Sequence, residues 1–360
     1  MIVIALVSAR RVYQIGPIPT GLDGGEWLAI GRGLLGGPGR QTNGAYAPLV
    51  PMIAALLARL AGPVSAIDLL ASLTLPILLI AVAWIALPEL GVWLTAGLVL
   101  VLASAGAVTE PVAFGGYPQH LAFAALLTGL GGASAFLAAG GRKAWFTSTA
   151  GFALAALCHH IYFPLGLFSA IAVLTLWAAM CRPKGWRTRA IAAASTFLPG
   201  LVLATPTLLA FRAAGYAPPL EAAPFPLLEA WRYATREATS LWTALVLLAP
   251  IALWMGRKAP TPRWFVSAGL LAASGVGFLG SSEPRLVPAI LTAALLADAG
   301  GIRALRLAQP RTSFPLAVVG TAALAILVYR GDGEAFAYFR FYRVLDHSTI
   351  AAAHTIETMP

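Results

Sequence analysis

Four stretches of this chain carry residue types suited to chemistry, and each lies beside long apolar runs. In Gly21-Leu22-Asp23-Gly24-Gly25-Glu26 the two acids stand three apart. If Asp23 caps a helix whose first turn holds Glu26, both carboxylates crowd its N-terminus and can converge. Such a pair can act as general base or hold a divalent metal through hard oxygen ligands. The same spacing also describes a plain capped helix start. The second stretch is Thr109-Glu110 followed by Gly115-Gly116-Tyr117-Pro118-Gln119-His120. Its glycines give backbone freedom, and Pro118 suits the first turn of a helix. His120 can ligate a metal or shuttle protons. The third is Cys158-His159-His160-Ile161-Tyr162. Adjacent histidines on a helix point about 100° apart, so the pair suits a cavity or substrate better than one shared metal. The fourth is Ser281-Ser282-Glu283-Pro284-Arg285-Leu286. An arginine at the mouth of a helix fits a phosphate, because its planar fork binds two oxygens at once. The plainer alternatives are a local pair with Glu283 or a contact with lipid headgroups.

The elements that must position these residues are membrane helices. The chain has 360 residues, 59% hydrophobic and 11% charged. Soluble domains carry about 25% charged residues. Apolar segments fall near 46–62, 66–87, 92–109, 119–139, 144–162, 163–181, 190–212, 240–256, 264–282, 286–302 and 313–329. With an N-terminal stub they predict an all-α polytopic membrane protein of about 11–12 transmembrane helices. Residues 1–330 form one membrane domain, and 331–360 a tail that reads as the start of a further soluble segment. Residues 46–62 are short and contain Pro48 and Pro51, which marks them as a partial or re-entrant helix. Between Pro224 and Glu237, Leu227, Leu228, Trp231 and Tyr233 alternate with charges, as in a helix lying on the membrane interface.

Charge orients the segments. Of 24 Lys and Arg residues, twelve sit in four acid-free loops: Arg142 and Lys143; Arg182, Lys184, Arg187 and Arg189; Arg257, Lys258 and Arg263; Arg303, Arg306 and Arg311. Positive loops stay cytoplasmic. Most of the 14 acids fall in the intervening stretches, so the candidate chemistry faces outward. The net charge of +10 reflects this topology and contact with anionic lipid, and nucleic acid is rejected as a partner. Cys158 and Cys181, in or at the end of apolar segments, read as inert thiols.

The order of these motifs resembles the GT-C type glycosyltransferases, polytopic enzymes that take sugar from a polyprenyl-phosphate carrier on the outer membrane face. The acidic loop, the amphipathic segment ending in Leu34-Leu35-Gly36-Gly37, and the helix start Tyr46-Ala47-Pro48-Leu49 resemble their first outer loop and second helix. Arg285-Leu286-Val287-Pro288 resembles a late element that holds the carrier phosphate. The resemblance implies Asp23 and Glu26 as catalytic acids. It implies Arg285, Tyr117, Gln119, His159 and His160 as substrate contacts. Asp23, Glu26 and His120 are then the set for a divalent metal (Mg, Mn or Zn). It implies inverting sugar transfer from a polyprenyl-phosphate-sugar donor, among membrane lipids, in a bacterial inner or plasma membrane with the active side outward, as part of cell-envelope chemistry. The split acidic pair keeps a non-catalytic scaffold open as an alternative. Proline-broken helices keep open a lipid or solute transporter or flippase.

Overall fold

The computed structural model describes residues 24–39, 44, 46–213, 226–235 and 239–308. Among these the regular structure is helical. The helices are α1 (Gly24–Leu34), α2 (Leu49–Ala61), α3 (Pro63–Ser104), α4 (Gly106–Phe114), α5 (Tyr117–Ala139), α6 (Arg142–Cys158) and α7 (Tyr162–Met180). They continue as α8 (Trp186–Ala194), α9 (Leu198–Ala213), α10 (Leu227–Thr235), α11 (Thr239–Gly256), α12 (Pro262–Ser281) and α13 (Val287–Ala308). Seven helical segments in the described residues are long and apolar enough to cross a membrane, with α8 and α9 counted as one run. The expected segment 313–329, the N-terminal stub and the tail 331–360 lie outside the described residues.

Short turns force most of the bundle into antiparallel order, which gives it two ends. The turns carrying Arg142, Arg182, Lys184, Arg257 and Lys258 share one end, and there an Arg189 guanidinium nitrogen donates to the Leu137 carbonyl at 3.1 Å. We call this the basic end. Trp186 and Trp254 lie there under guanidinium groups, Arg257 being 4.0 Å above the Trp254 ring. Aromatic side chains at this level match the interfacial belt of membrane proteins.

Helix α3 makes two passes. Its 42 residues contain one non-helical position, Gly91, with φ 74° and ψ 177°. Only glycine adopts this region freely, and the chain reverses there. Landmarks place the three points. Ile67 lies against Gly24 of α1, Glu89 meets Arg263 at the basic end, and α4, just beyond Ser104, leads to Gly115, which contacts α1 again. The expected segment 92–109 therefore stops at Ser104, breaks at Ala105, and continues as the separate α4.

Residues 46–62 do not span. Helix α2 has 13 residues, about 20 Å of rise against a hydrocarbon core of about 30 Å. Both its ends lie at the end opposite the basic loops, where Trp27 touches Tyr46 and Pro63 begins α3.

Packing follows membrane rules. Lipid supplies little hydrophobic drive between helices, so close approach of small residues takes over. Helices α5 and α6 meet through Gly129, Gly132, Ser148 and Gly151, and a Cβ at Gly151 would collide with the Gly129 backbone. On the first leg of α3, Leu69, Leu73, Ile77, Ile80, Trp84 and Leu87 are exposed, whereas Leu70, Leu75, Leu78, Leu79 and Val82 are buried. The exposed set repeats every three or four residues, which is one helical face turned to lipid.

Candidate functional site

The candidate residues gather at the end opposite the basic loops. Helix α1 begins at Gly24 and holds Glu26 in its first turn, where the helix dipole favours an anion. This is the expected placement of Glu26; Asp23 lies outside the described residues. Gly31 lets α1 run against the Pro51 carbonyl of α2. Beside Glu26, the Trp27 indole N–H donates to the Gly115 carbonyl at 2.6 Å, and its ring meets Tyr46 edge-on at 5.9 Å. The acidic helix is thereby fastened to the Gly115-Gly116 turn. Sequence reasoning missed Trp27, whose only signal was its place next to Glu26.

Gly115 has φ 92° and closes α4 in a left-handed cap. Pro118 then sits in the first turn of α5, as expected. Tyr117, Gln119 and His120 are all buried, Tyr117 completely. The His120 Nε2–H donates to the Val108 carbonyl at 2.7 Å, which fixes the neutral tautomer and leaves Nδ1 as the acceptor; Nδ1 has no hydrogen-bond partner. Glu110 is buried on α4. No three His, Cys, Asp or Glu among the described residues are placed to hold a metal ion.

The histidine pair differs from the sequence reading. Helix α6 ends at Cys158, and His159 is extended at φ −159° and ψ 133°. The two rings are therefore not fanned apart on a helix; they stack at 4.6 Å and 14°. The Ile161 N–H donates to His159 Nδ1 at 3.1 Å, so His159 is neutral and carries its proton on Nε2. His160 also stacks on Phe211 of α9 at 4.8 Å. Burial first, then the charge of His160 and the nearby Arg285 cation, hold His159 well below the ordinary histidine range. Burial and Arg285 lower His160 to about 4.

Arg285 lies in the turn Pro284–Leu286 between α12 and α13. Its side chain is 49% exposed, and Nε is 3.6 Å from the Glu283 carboxylate. That distance is an ion pair without a hydrogen bond, so the local pairing anticipated as the plainer alternative is present but loose. The Tyr162 hydroxyl donates to the Arg285 carbonyl at 3.0 Å. His159, His160, Tyr162 and Arg285 thus form one group, while Glu26 belongs with the Gly115–His120 turn. Helix α10 bridges the two: it packs on α4 and on the Pro284–Leu286 turn. Its Trp231 indole donates to Thr243 at 2.8 Å and its ring meets Phe278. Leu228, Arg232 and Tyr233 stay exposed, as expected of an interfacial helix.

No family model matches the chain, and no curated protein matches it in sequence. Solved structures do match in shape. ArnT from Cupriavidus metallidurans bound to undecaprenyl phosphate superposes with TM-score 0.56 at 16% identity, covering 95% of this chain and 74% of that one. The same protein in its apo state gives 0.54 at 16% identity, covering 94% and 72%. The chain has a GT-C-like fold. It is an integral, multi-pass membrane fold, and the likeness extends over nearly the whole chain rather than a single hairpin.

Proposed function

We propose that this protein is an integral-membrane glycosyltransferase that moves a sugar from a polyprenyl-phosphate carrier to an acceptor, at the end of the bundle opposite the basic loops. That end faces outward if the basic loops are cytoplasmic, in a bacterial inner membrane. The observation that carries the reading is Arg285: a half-exposed guanidinium, loosely paired, beside two neutral histidines. The phosphate-bound state of the ArnT neighbour agrees with it.

The chemistry needs few parts. The acceptor oxygen or nitrogen attacks the anomeric carbon as the bond from that carbon to the carrier phosphate oxygen breaks, with inversion. The electron pair leaves on the phosphate, and Arg285 offsets the growing charge. His159, with Nε2–H as donor, can add a hydrogen bond. The acceptor's proton passes to a carboxylate of the Asp23/Glu26 loop. Tyr117 and Gln119, buried in this conformation, reach substrate only if the turn opens.

The test is a binding isotherm in detergent with a short-chain polyprenyl phosphate, and the matching polyprenol as control. Wild type should prefer the phosphate, and Arg285→Lys and then Arg285→Ala should weaken it progressively, by about tenfold or more for the loss of a charged hydrogen bond. Equal affinities for phosphate and polyprenol in wild type would remove the reading. A transporter has one observation in its favour: both Asp298 carboxylate oxygens, within α13, lack partners, and such groups often mark ion or proton paths. Proton-coupled lipid or solute flux in liposomes, lost in Asp298→Asn, would favour it.

A further inference from the structure

Arg285 is held through its backbone from two sides. Its N–H donates to the Glu283 carboxylate at 3.2 Å, and the Glu283 N–H in turn donates to Ser281 Oγ at 3.2 Å. These contacts are local. The third is not: the Arg285 carbonyl accepts from the Tyr162 hydroxyl, 123 residues earlier in the chain. Ser282, just before, takes a left-handed conformation at φ 51°, which a side-chain-bearing residue adopts only at a cost. A turn with such a residue needs outside support to keep one geometry.

Tyr162 is well built to give that support. It is 2% exposed. Its ring meets His159 edge-on at 5.6 Å and lies against Phe123 at 5.5 Å. The hydroxyl is therefore aimed by packing, and it joins the base of the histidine pair to the backbone of the arginine. Loss of the hydroxyl leaves the ring contacts intact. It frees the turn to rotate and lets the guanidinium close the remaining gap to Glu283.

We propose that Tyr162 is a positioning residue: its hydroxyl fixes the Arg285 turn so that the guanidinium is presented beside His159 and His160, in place for the oxygens of a lipid-linked phosphate. This rests on the assignment of Arg285 to the carrier phosphate. It adds that a group not touching the phosphate sets its affinity.

The experiment uses the full chain in detergent, with a short-chain polyprenyl phosphate as probe and the same-length polyprenol as control. Isotherms are recorded for wild type, Tyr162→Phe, Arg285→Ala and the double variant, with a thermal melt of each. Tyr162→Phe is expected to weaken phosphate binding by about two- to tenfold, the range for one neutral hydrogen bond, while polyprenol binding and the melt stay close to wild type. In the Arg285→Ala background the same change should have no further effect. Wild-type affinity in Tyr162→Phe, with Arg285→Ala still weakened, overturns the positioning role and leaves the phosphate site standing. An equal loss in both backgrounds overturns it as well, because Tyr162 would then support the fold generally. No preference for phosphate over polyprenol in wild type overturns the phosphate site, and the positioning role falls with it. Should Tyr162→Phe fail to fold, Tyr162→4-aminophenylalanine, which keeps a donor, must bind as wild type for the role to stand.

Discussion

Trp27 and Gly115 are joined by a 2.6 Å hydrogen bond across 88 residues, and this bond makes the acidic helix and the Gly-Gly turn one unit. Glu26 on α1 is therefore held at a fixed place against the turn that opens α5.

Glu26 tests the catalytic assignment. Glu26→Gln, and separately Asp23→Asn, should abolish sugar transfer while the detergent melt stays near wild type. Loss of a cap costs only about 0.5–2 kcal/mol, too little to unfold the bundle. Full transfer in the double variant would leave the acids as a helix cap.

The histidine pair predicts a pH dependence. Both folded-state values lie below the free histidine value of about 6.5, His160 at about 4. The unfolded chain then binds more protons than the folded one at acidic pH, so stability rises with pH. The contribution is complete above about pH 6.5 and shrinks as pH falls toward 4. Melts of His160→Asn between pH 4 and 7.5 should show a flatter acid limb than wild type. Parallel limbs would mean that the pair does not titrate with folding.

At the other end, the partly buried Glu89 forms a polar clamp on the buried Arg263 of α12. Its carboxylate accepts from the Arg263 N–H at 2.9 Å, from Arg263 Nε at 3.0 Å and from the Thr261 hydroxyl, and Arg263 also donates to the Leu296 carbonyl. Removing one partner strands the other, a loss of about 3–5 kcal/mol. Glu89→Gln should therefore lower the melt clearly, and Glu89→Leu with Arg263→Met should recover much of the loss. A melt unchanged in Glu89→Gln would show that the pair is not closed in the membrane.

Orientation can be read with a native reporter. Cys181 is free and exposed at the basic end, and Cys158 is buried. An impermeant thiol reagent added to intact cells should leave wild type unlabelled and should label Ser281→Cys. Labelling of Cys181 together with protection of Ser281→Cys would turn the protein over and place the candidate site inside.

The spans were legible because hydropathy is a property of single segments. So was the weakness of 46–62, where Pro48 and Pro51 announced a helix that could not cross. The break at Ala105 was hidden, since Leu102, Ala103, Ala105 and Val108 are apolar on both sides of it and a change of backbone direction leaves no mark in hydropathy. The stacking of His159 on His160 was hidden for a related reason: it depends on α6 ending at Cys158, inside the apolar segment expected over 144–162. Least legible were the contacts between helix ends. Trp27 with Gly115, Glu89 with Arg263 and Tyr162 with Arg285 each join distant segments, and nothing in the spacing along one helix says which other helix it will face. Arg285 was singled out from its chemistry, but the Tyr162 hydroxyl on its carbonyl left no signal in the sequence.

The long separation between Tyr162 and Arg285 also orders events during biogenesis. At about 5–20 residues per second of synthesis, the 123 residues between them take roughly 6–25 seconds to emerge. For that interval the Tyr162 hydroxyl lacks the Arg285 carbonyl it serves, and its ring contacts with Phe123 and His159 are what hold it. The histidine pair and the tyrosine are therefore in place before Arg285 is made, and the insertion of α12 and α13 closes the candidate site in one late step.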